Sequence, residues 1–404
     1  MIIKRESYMK QNDALYNTDV IKVLTGMRRS GKSVMFELIK EELIETGVSE
    51  NSIVSINFDS LKNPILNDVL SAYTMIENFT LSTEGRVYLF LDEIGELKEW
   101  EKLLQLCLLN FNCDIYISSS NGHLLKGLDA TSLAGRYVEI PIYPFSFSES
   151  LLYLQEHYKK VNIDEAFLFY VTYGGLPFIY QFARTREGAL SYLEDVFHSI
   201  ILKDITMRAQ VRDIELLRRI ILYFFSHIGS SFSVTHLIAY LNNEKNSYSH
   251  ETIYNYIEYG KMASLYYLVP RYDIQARKLL SSGQKIFLSD HGLRESLYGN
   301  NLNDIEEILT NIIYIELLRR GYTVYAGKIK NKEIDFIATT RNKKIYIQVA
   351  YLLESDETIE KEFSPLESIQ DNYPKIILSM DTVLKGRGGI IHQNIKEFLL
   401  QMRD

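Results

Sequence analysis

Cysteine is nearly missing from this chain of 404 residues. The two that occur, Cys107 and Cys113, have no partner pair and no histidines at metal-ligand spacing, so they are expected to be reduced and buried rather than part of a disulfide framework or zinc site. Long apolar runs are absent too. The densest stretch, Ile220 to Phe225, is far shorter than the roughly 20 residues of a bilayer-spanning helix. The opening Met1-Ile2-Ile3-Lys4-Arg5-Glu6 lacks the apolar core of a secretory leader, and a cytoplasmic protein without a membrane partner is expected. Positive charge is in deficit, with 44 Lys and Arg against 52 Asp and Glu for a net charge of −8. That balance argues against a general coat for nucleic acid and leaves room only for a local basic patch. The length calls for about two to four domains.

Glycine and lysine carry the strongest positive signal. Val23-Leu24-Thr25 is an apolar β-type run, and Gly26-Met27-Arg28-Arg29-Ser30-Gly31-Lys32-Ser33 after it fits G-x-x-x-x-G-K-[ST] at every fixed position. A helical pattern starts at Val34. In such a strand–loop–helix, the glycines let successive backbone N–H groups turn inward around a phosphate chain over the helix N-terminus. Residues 26–34 are therefore the expected nucleotide-binding set. Lys32 places a point charge on the outer phosphates, and Ser33 offers its hydroxyl to Mg²⁺.

Downstream, strands and helices alternate in the rhythm of a parallel sheet covered by helices. Ile53 to Asp59 alternates as a strand. Val87-Tyr88-Leu89-Phe90-Leu91 ends in Asp92-Glu93, and ligands of open α/β sheets lie beyond the carboxyl ends of the strands. Asp92 is assigned to the metal and Glu93 to the attacking water. The strand Asp114 to Ile117 leads into Ser118-Ser119-Ser120-Asn121, whose neutral donors, Asn121 among them, suit sensing of a γ-phosphate. Arg136, ahead of another strand, is a candidate for stabilising phosphate charge in its own subunit or across an oligomer interface, with a structural salt bridge as the alternative. Arg5 and Tyr8 lie on a short N-terminal helix, and an ordinary surface role for them is preferred to contact with a base.

The P-loop, Leu91-Asp92-Glu93-Ile94, Gly135-Arg136-Tyr137 and Pro144-Phe145-Ser146-Phe147 together resemble prokaryotic AAA-type ATPases that carry a C-terminal domain of unknown function. The resemblance continues through Tyr173-Gly174-Gly175-Leu176-Pro177, Asp290-His291-Gly292-Leu293, Glu333-Ile334-Asp335-Phe336 and Tyr346-Ile347-Gln348-Val349. It implies ATP and Mg²⁺ as ligands, ATP hydrolysis, and a helical lid around the Gly-Gly-Leu-Pro turn. Gly95 stands where similar proteins often carry Gln, which removes any side-chain contact from that position. No Asn-Lys-x-Asp sequence that would read guanine occurs.

The expected organisation is an α/β P-loop core of AAA type over residues 1–150, a helical lid over 151–205, a winged helix over 206–298 and an α/β endonuclease-like domain over 299–404. For the winged helix, Ile214 to Phe225 reads as an amphipathic helix, Ser233 and Ser249 cap two more, and Leu265 to Val269 and Lys285 to Leu288 read as strands. Arg271, Arg277, Lys278 and Lys285 form a basic wing, and contact with DNA or docking of a protein stand as equal readings. In the last segment, a helix over Ile305 to Arg320 and three strands resemble the restriction-endonuclease-like order, which needs an Asp on one strand and Glu-x-Lys on the next. Asp335 holds the first place, but Gln348 and Ala350 replace Glu and Lys, so no cleavage is expected. Ile391 to Met402 reads as a terminal helix. Two functions remain: an ATPase that moves its C-terminal domains, or a nucleotide-stabilised scaffold with little turnover.

Overall fold

The computed structural model describes residues 2–59, 68–122, 124, 133–158, 160–242, 248–299 and 301–401. It divides into two compact units, Met1–Tyr143 with Met262–Ser264, and Pro144–Lys261 with Leu265–Asp404.

The first unit opens with helix α1 (Glu6–Asp13) and strand β1 (Ile21–Thr25), then runs through α2 (Lys32–Glu45), β2 (Ile53–Asn57), α3 (Val69–Leu81), β3 (Val87–Asp92), α4 (Trp100–Asn110), β4 (Cys113–Ser119) and β5 (Tyr137–Pro141). The five strands form one sheet in the order β2-β3-β4-β1-β5, with every neighbouring pair parallel. β1, β3 and β4 are buried at every position, as expected of parallel strands covered on both faces. Alternation divides their side chains between two cores. Val87, Leu89 and Leu91 join Ile21 and Val23 on one face, while Tyr88 and Phe90 join Leu24 and Tyr116 on the other. A fully buried pair crosses the second face, where Lys22 Nζ donates to Asp114. Burial lowers the lysine pKa and raises that of the aspartate, with the mutual bond opposing both shifts. Cys107 and Cys113 are free and buried.

The second unit begins with α5 (Phe147–His157) and α6 (Ile163–Tyr173), each started by a capping box, Ser146 with Glu149 and Asn162 with Glu165. α6 stops at Gly174, whose φ is +78°. A Cβ on Gly175 would stand 2.4 Å from the Phe145 carbonyl oxygen, so the glycines permit a close backbone approach. The Asp290 carboxylate accepts from Gly175 N at 2.7 Å and Gly292 N at 2.9 Å, joining two of the motifs seen in the sequence. α7 (Arg186–Ser199) continues into a π-helical stretch, Ile200–Met207.

There follow α8 (Ile214–Ser226), β6 (Ser231–Phe232), α9 (Val234–Asn242), α10 (His250–Met262), β7 (Tyr266–Val269), β8 (Arg271–Asp273), β9 (Lys278–Leu279) and β10 (Gln284–Leu288). β6, β10 and β7 make a small antiparallel sheet beneath these helices. The remainder comprises α11 (Gly292–Tyr298), α12 (Ile305–Arg319), β11 (Thr323–Ile329), β12 (Lys332–Thr339), β13 (Lys344–Val349), α13 (Asp356–Glu367), β14 (Lys375–Ser379), β15 (Ile391–Asn394) and α14 (Ile395–Leu400). Its sheet has seven strands in the order β15-β14-β13-β12-β11-β8-β9. The basic hairpin expected as a free wing is thus the edge of this sheet, with β8 parallel to β11. The expected helix from 391 is also corrected, since residues 391–394 pair with β14 before α14 starts, and Met402 lies outside the described residues. Among the described residues no helix is long and apolar enough to cross a membrane.

Candidate functional site

The P-loop joins β1 to α2 at the carboxyl end of the first sheet. Gly26 has φ +137°, and a Cβ there would lie 2.3 Å from the Ile142 carbonyl oxygen; no side chain fits. Gly31, at φ +102°, caps α2, whose first residue is Lys32. The loop is supported from behind by Arg5, which donates to the Ser30 carbonyl at 3.3 Å and the Tyr143 carbonyl at 2.9 Å and lies over the Tyr8 ring at 4.5 Å. Both residues are buried, so the surface role expected for them gives way to bracing of the loop. Arg28 pairs with Asp59 at 3.6 Å. Met27 and Ser30 are buried, and Val34 is exposed on the first turn of α2.

Lys32 Nζ donates to the carbonyls of Gly26 at 3.0 Å and Met27 at 3.1 Å and stands 3.7 Å from Glu93 Oε1. Asp92 ends β3, and its Oδ2 accepts from Ser33 Oγ at 2.7 Å and Asn57 Nδ2 at 3.0 Å. Its Oδ1 accepts from Ser118 Oγ. The same Ser118 oxygen accepts from Glu93 N at 3.0 Å, so one serine fixes the adjacent acids together. Glu93 adopts φ +50°, the left-handed region, which turns its side chain away from the strand direction. Its Oε2 accepts from both the N–H of Ser120, at 3.1 Å, and the Ser120 hydroxyl, at 3.2 Å.

Lys32, Ser33, Asp92 and Glu93 therefore meet at one place. A glycine cradle that a Cβ would fill, a lysine at the helix start and a hydroxyl–carboxylate pair fit a Mg²⁺-bound phosphate chain. Among the described residues no group of three or more His, Cys, Asp or Glu side chains is placed to hold a metal ion. Asn57, Ser118 and Ser120 were missed as acid-holding residues in the sequence, although all three are small polar residues at or just beyond the carboxyl ends of β2 and β4. Asn121 is buried, with its N–H donating to Ser119 Oγ at 3.1 Å; the Ser-Ser-Ser-Asn side chains that reach the acids are those of Ser118 and Ser120.

Arg136 is not brought to this site within its own chain. β5 pairs with β1 in the register Ile21↔Tyr137 through Thr25↔Pro141, so Arg136 is exposed at the opposite edge of the sheet from the loop that follows Thr25. Five residues of strand separate the two, roughly 16 Å at about 3.3 Å each, beyond the reach of a guanidinium.

The second unit holds an open cavity of about 560 Å³ lined by Lys285, Asp335, Gln348, Lys361 and Glu362, among others. Gln348 does not face it as a failed ligand. Its Oε1 accepts from Asp335 N at 2.7 Å, and its Nε2 donates to Glu362 Oε2 at 2.8 Å, drawing a carboxylate from α13 toward Asp335. Burial raises the pKa of both acids; the neighbouring Asp335 raises Glu362 further, and Lys285 opposes the shift of Asp335. Lys285 Nζ stands 3.3 Å from Glu333 and 3.8 Å from Asp335 Oδ1, and Arg271 donates to Glu333 at 2.9 Å. Glu362 comes from α13, after the strand bearing Gln348, and so lies outside the Asp and Glu-x-Lys order legible in the sequence.

Residues 18–151 match the model of an AAA domain, and residues 164–304 match a domain of unknown function. A Walker-type ATPase of Pyrococcus abyssi has a similar structure, with a TM-score of 0.53 and 16% identity over 74% of this chain and 96% of its own. Domain match and fold together define the class of residues 18–151 as an AAA domain with a P-loop sheet. An uncharacterized protein of Haemophilus influenzae is 36% identical over 94% of this chain and 93% of its own length, and the chain belongs to its family. An uncharacterized protein of Methanocaldococcus jannaschii is 29% identical over 86% of this chain and 78% of its own length.

Proposed function

We propose that the protein hydrolyses ATP to ADP and phosphate in the cytoplasm and uses the nucleotide state to act on a partner through its second unit. The observation that carries this reading is the convergence of the Ser33–Asp92 hydrogen bond and the Lys32–Glu93 pair at the mouth of the glycine cradle. Backbone N–H groups of residues 26–34 hold the phosphates, and Lys32 exchanges its loop carbonyls for phosphate oxygens. Ser33 and Asp92 are the groups that would hold Mg²⁺, which would supply neutralisation of phosphate charge. Glu93 accepts a proton from the water that attacks the γ-phosphorus, and the bond to the β-phosphate oxygen breaks.

The order helix, β6, helix, helix, β7 and β10 in residues 214–288, with β8 and β9 between the last two strands, supports a winged helix, and residues 299–404 are read as an endonuclease-like domain used for docking. Arg271 and Lys285, two of the four basic wing residues, are engaged by Glu333 and Asp335, which favours a protein partner over DNA. Phosphate release from Mg²⁺ and ATP by the purified protein, lost when the metal is chelated, is the expected result. No release above buffer from a protein that binds ATP would leave a nucleotide-stabilised scaffold instead.

A further inference from the structure

We infer that Arg5 and Tyr8 are positioning residues that carry the nucleotide state of the P-loop to Tyr143, where the chain leaves the first unit; the inference rests on the nucleotide-binding part of the reading above. Three segments far apart in the sequence meet at the Arg5 guanidinium. Its Nη1 donates to the carbonyl of Ser30, inside the loop, at 3.3 Å, and its Nη2 donates to the carbonyl of Tyr143 at 2.9 Å. The Tyr143 N–H donates in turn to the Tyr8 hydroxyl at 3.1 Å. Arg5 and Tyr8 sit on one turn at the start of α1, where the Arg5 carbonyl accepts from Tyr8 N at 2.9 Å and the guanidinium lies over the Tyr8 ring. One helical turn therefore holds both backbone polar groups of Tyr143 and one carbonyl of the P-loop.

A second contact joins the same two places. Ile142 N donates to the Thr25 carbonyl at 2.7 Å, and Gly26 is pressed so closely on the Ile142 carbonyl that a Cβ there would stand 2.3 Å from its oxygen. The start of the loop and residues 142–143 are thus fastened side by side. Lys32 donates to the Gly26 and Met27 carbonyls, and a phosphate chain that takes its ammonium leaves both carbonyls to find other partners, which turns their peptides. Gly26 cannot turn without pushing Ile142, and Ser30 cannot shift without drawing on Arg5, so both displacements arrive at Tyr143. A buried guanidinium needs hydrogen-bond partners wherever it lies. Burial alone does not require that its two carbonyls belong to the phosphate loop and to the last residue before the second unit.

Two substitutions cut the link and spare the loop. Tyr8→Phe keeps the ring under Arg5 and deletes the hydroxyl that holds Tyr143; Arg5→Lys keeps the charge and loses the fork that spans two carbonyls. Calorimetry with Mg²⁺ and a non-hydrolysable ATP analogue, and deuterium uptake across residues 144–157 with and without that analogue, are measured on the full chain. The wild type is expected to bind and to change its uptake there. Both variants are expected to bind within about threefold of the wild type and to lose at least half of that change. A full change in either variant, no change in a wild type that binds, or binding weakened more than tenfold in both variants overturns the link and leaves the P-loop assignment intact; the last result would make the pair a brace for the loop alone. A wild type that does not bind the analogue overturns the nucleotide-binding reading, and the link with it.

Discussion

Replacing Lys32 by alanine removes the one ammonium at the mouth of the cradle. Its hydrogen bonds go to two loop carbonyls at 3.0 and 3.1 Å, and a nucleotide must take it from them. A unit charge about 4 Å from a phosphate oxygen at an effective dielectric of about 20 is worth about 4 kcal/mol. Loss of the two carbonyl bonds, about 0.5 to 1.5 kcal/mol each, offsets part of that, leaving about 1 to 3 kcal/mol, or roughly five- to a hundredfold in affinity at roughly 1.4 kcal/mol per tenfold. Calorimetry with Mg²⁺ and ATP should therefore show weakening of that size. AMP, whose single phosphate ends short of the lysine, should change much less. ATP affinity equal to that of the wild type would refute the P-loop assignment, and an equal loss for AMP would show that Lys32 holds the loop rather than the outer phosphates.

Two further predictions concern residues away from the cradle. Arg136 lies too far along β5 to reach the nucleotide of its own chain, so a catalytic role requires a neighbouring subunit. Activity per chain should then rise with concentration, and mixing Arg136→Ala with Lys32→Ala should restore turnover; absence of both leaves it a surface residue. The second unit should not cut DNA, because Lys285 already supplies a positive charge at 3.8 Å from Asp335 and Gln348 is engaged at both ends. Supercoiled plasmid incubated with protein, Mg²⁺ or Mn²⁺ and ATP should stay intact, and nicking that is lost in Asp335→Ala would reverse this.

The P-loop and the acidic strand end were legible in the sequence because backbone geometry demands their residue types. Gly26 has no room for a Cβ, and the apolar run of β3 can place Asp92 only at the carboxyl edge of a parallel sheet. The helices from Ile214 to Met262 were legible through their period and their serine caps. What could not be read was long-range pairing. Nothing local in Arg271 says that β8 will lie parallel to β11, some fifty residues on, and convert a wing into a sheet edge. Glu362 reaches Gln348 through tertiary packing of α13, which no spacing rule encodes. Ser118 and Ser120 were read with Asn121 as donors to a γ-phosphate, and their bonds to Glu93 became visible only when β3 and β4 lay side by side. Arg136 precedes β5, and in a parallel sheet that places it at the amino end of the strands, away from the P-loop of its own chain.

The central claim is that Glu93 performs the chemistry at a site whose binding is done by others. Its direct test is Glu93→Gln, which keeps the size of the side chain and removes its capacity to take a proton. Single-turnover hydrolysis with Mg²⁺ and ATP, measured beside calorimetric binding, should show wild-type affinity and at least a hundredfold slower phosphate release. Hydrolysis at the wild-type rate would contradict the account, because the proton would then be taken by some group other than Glu93.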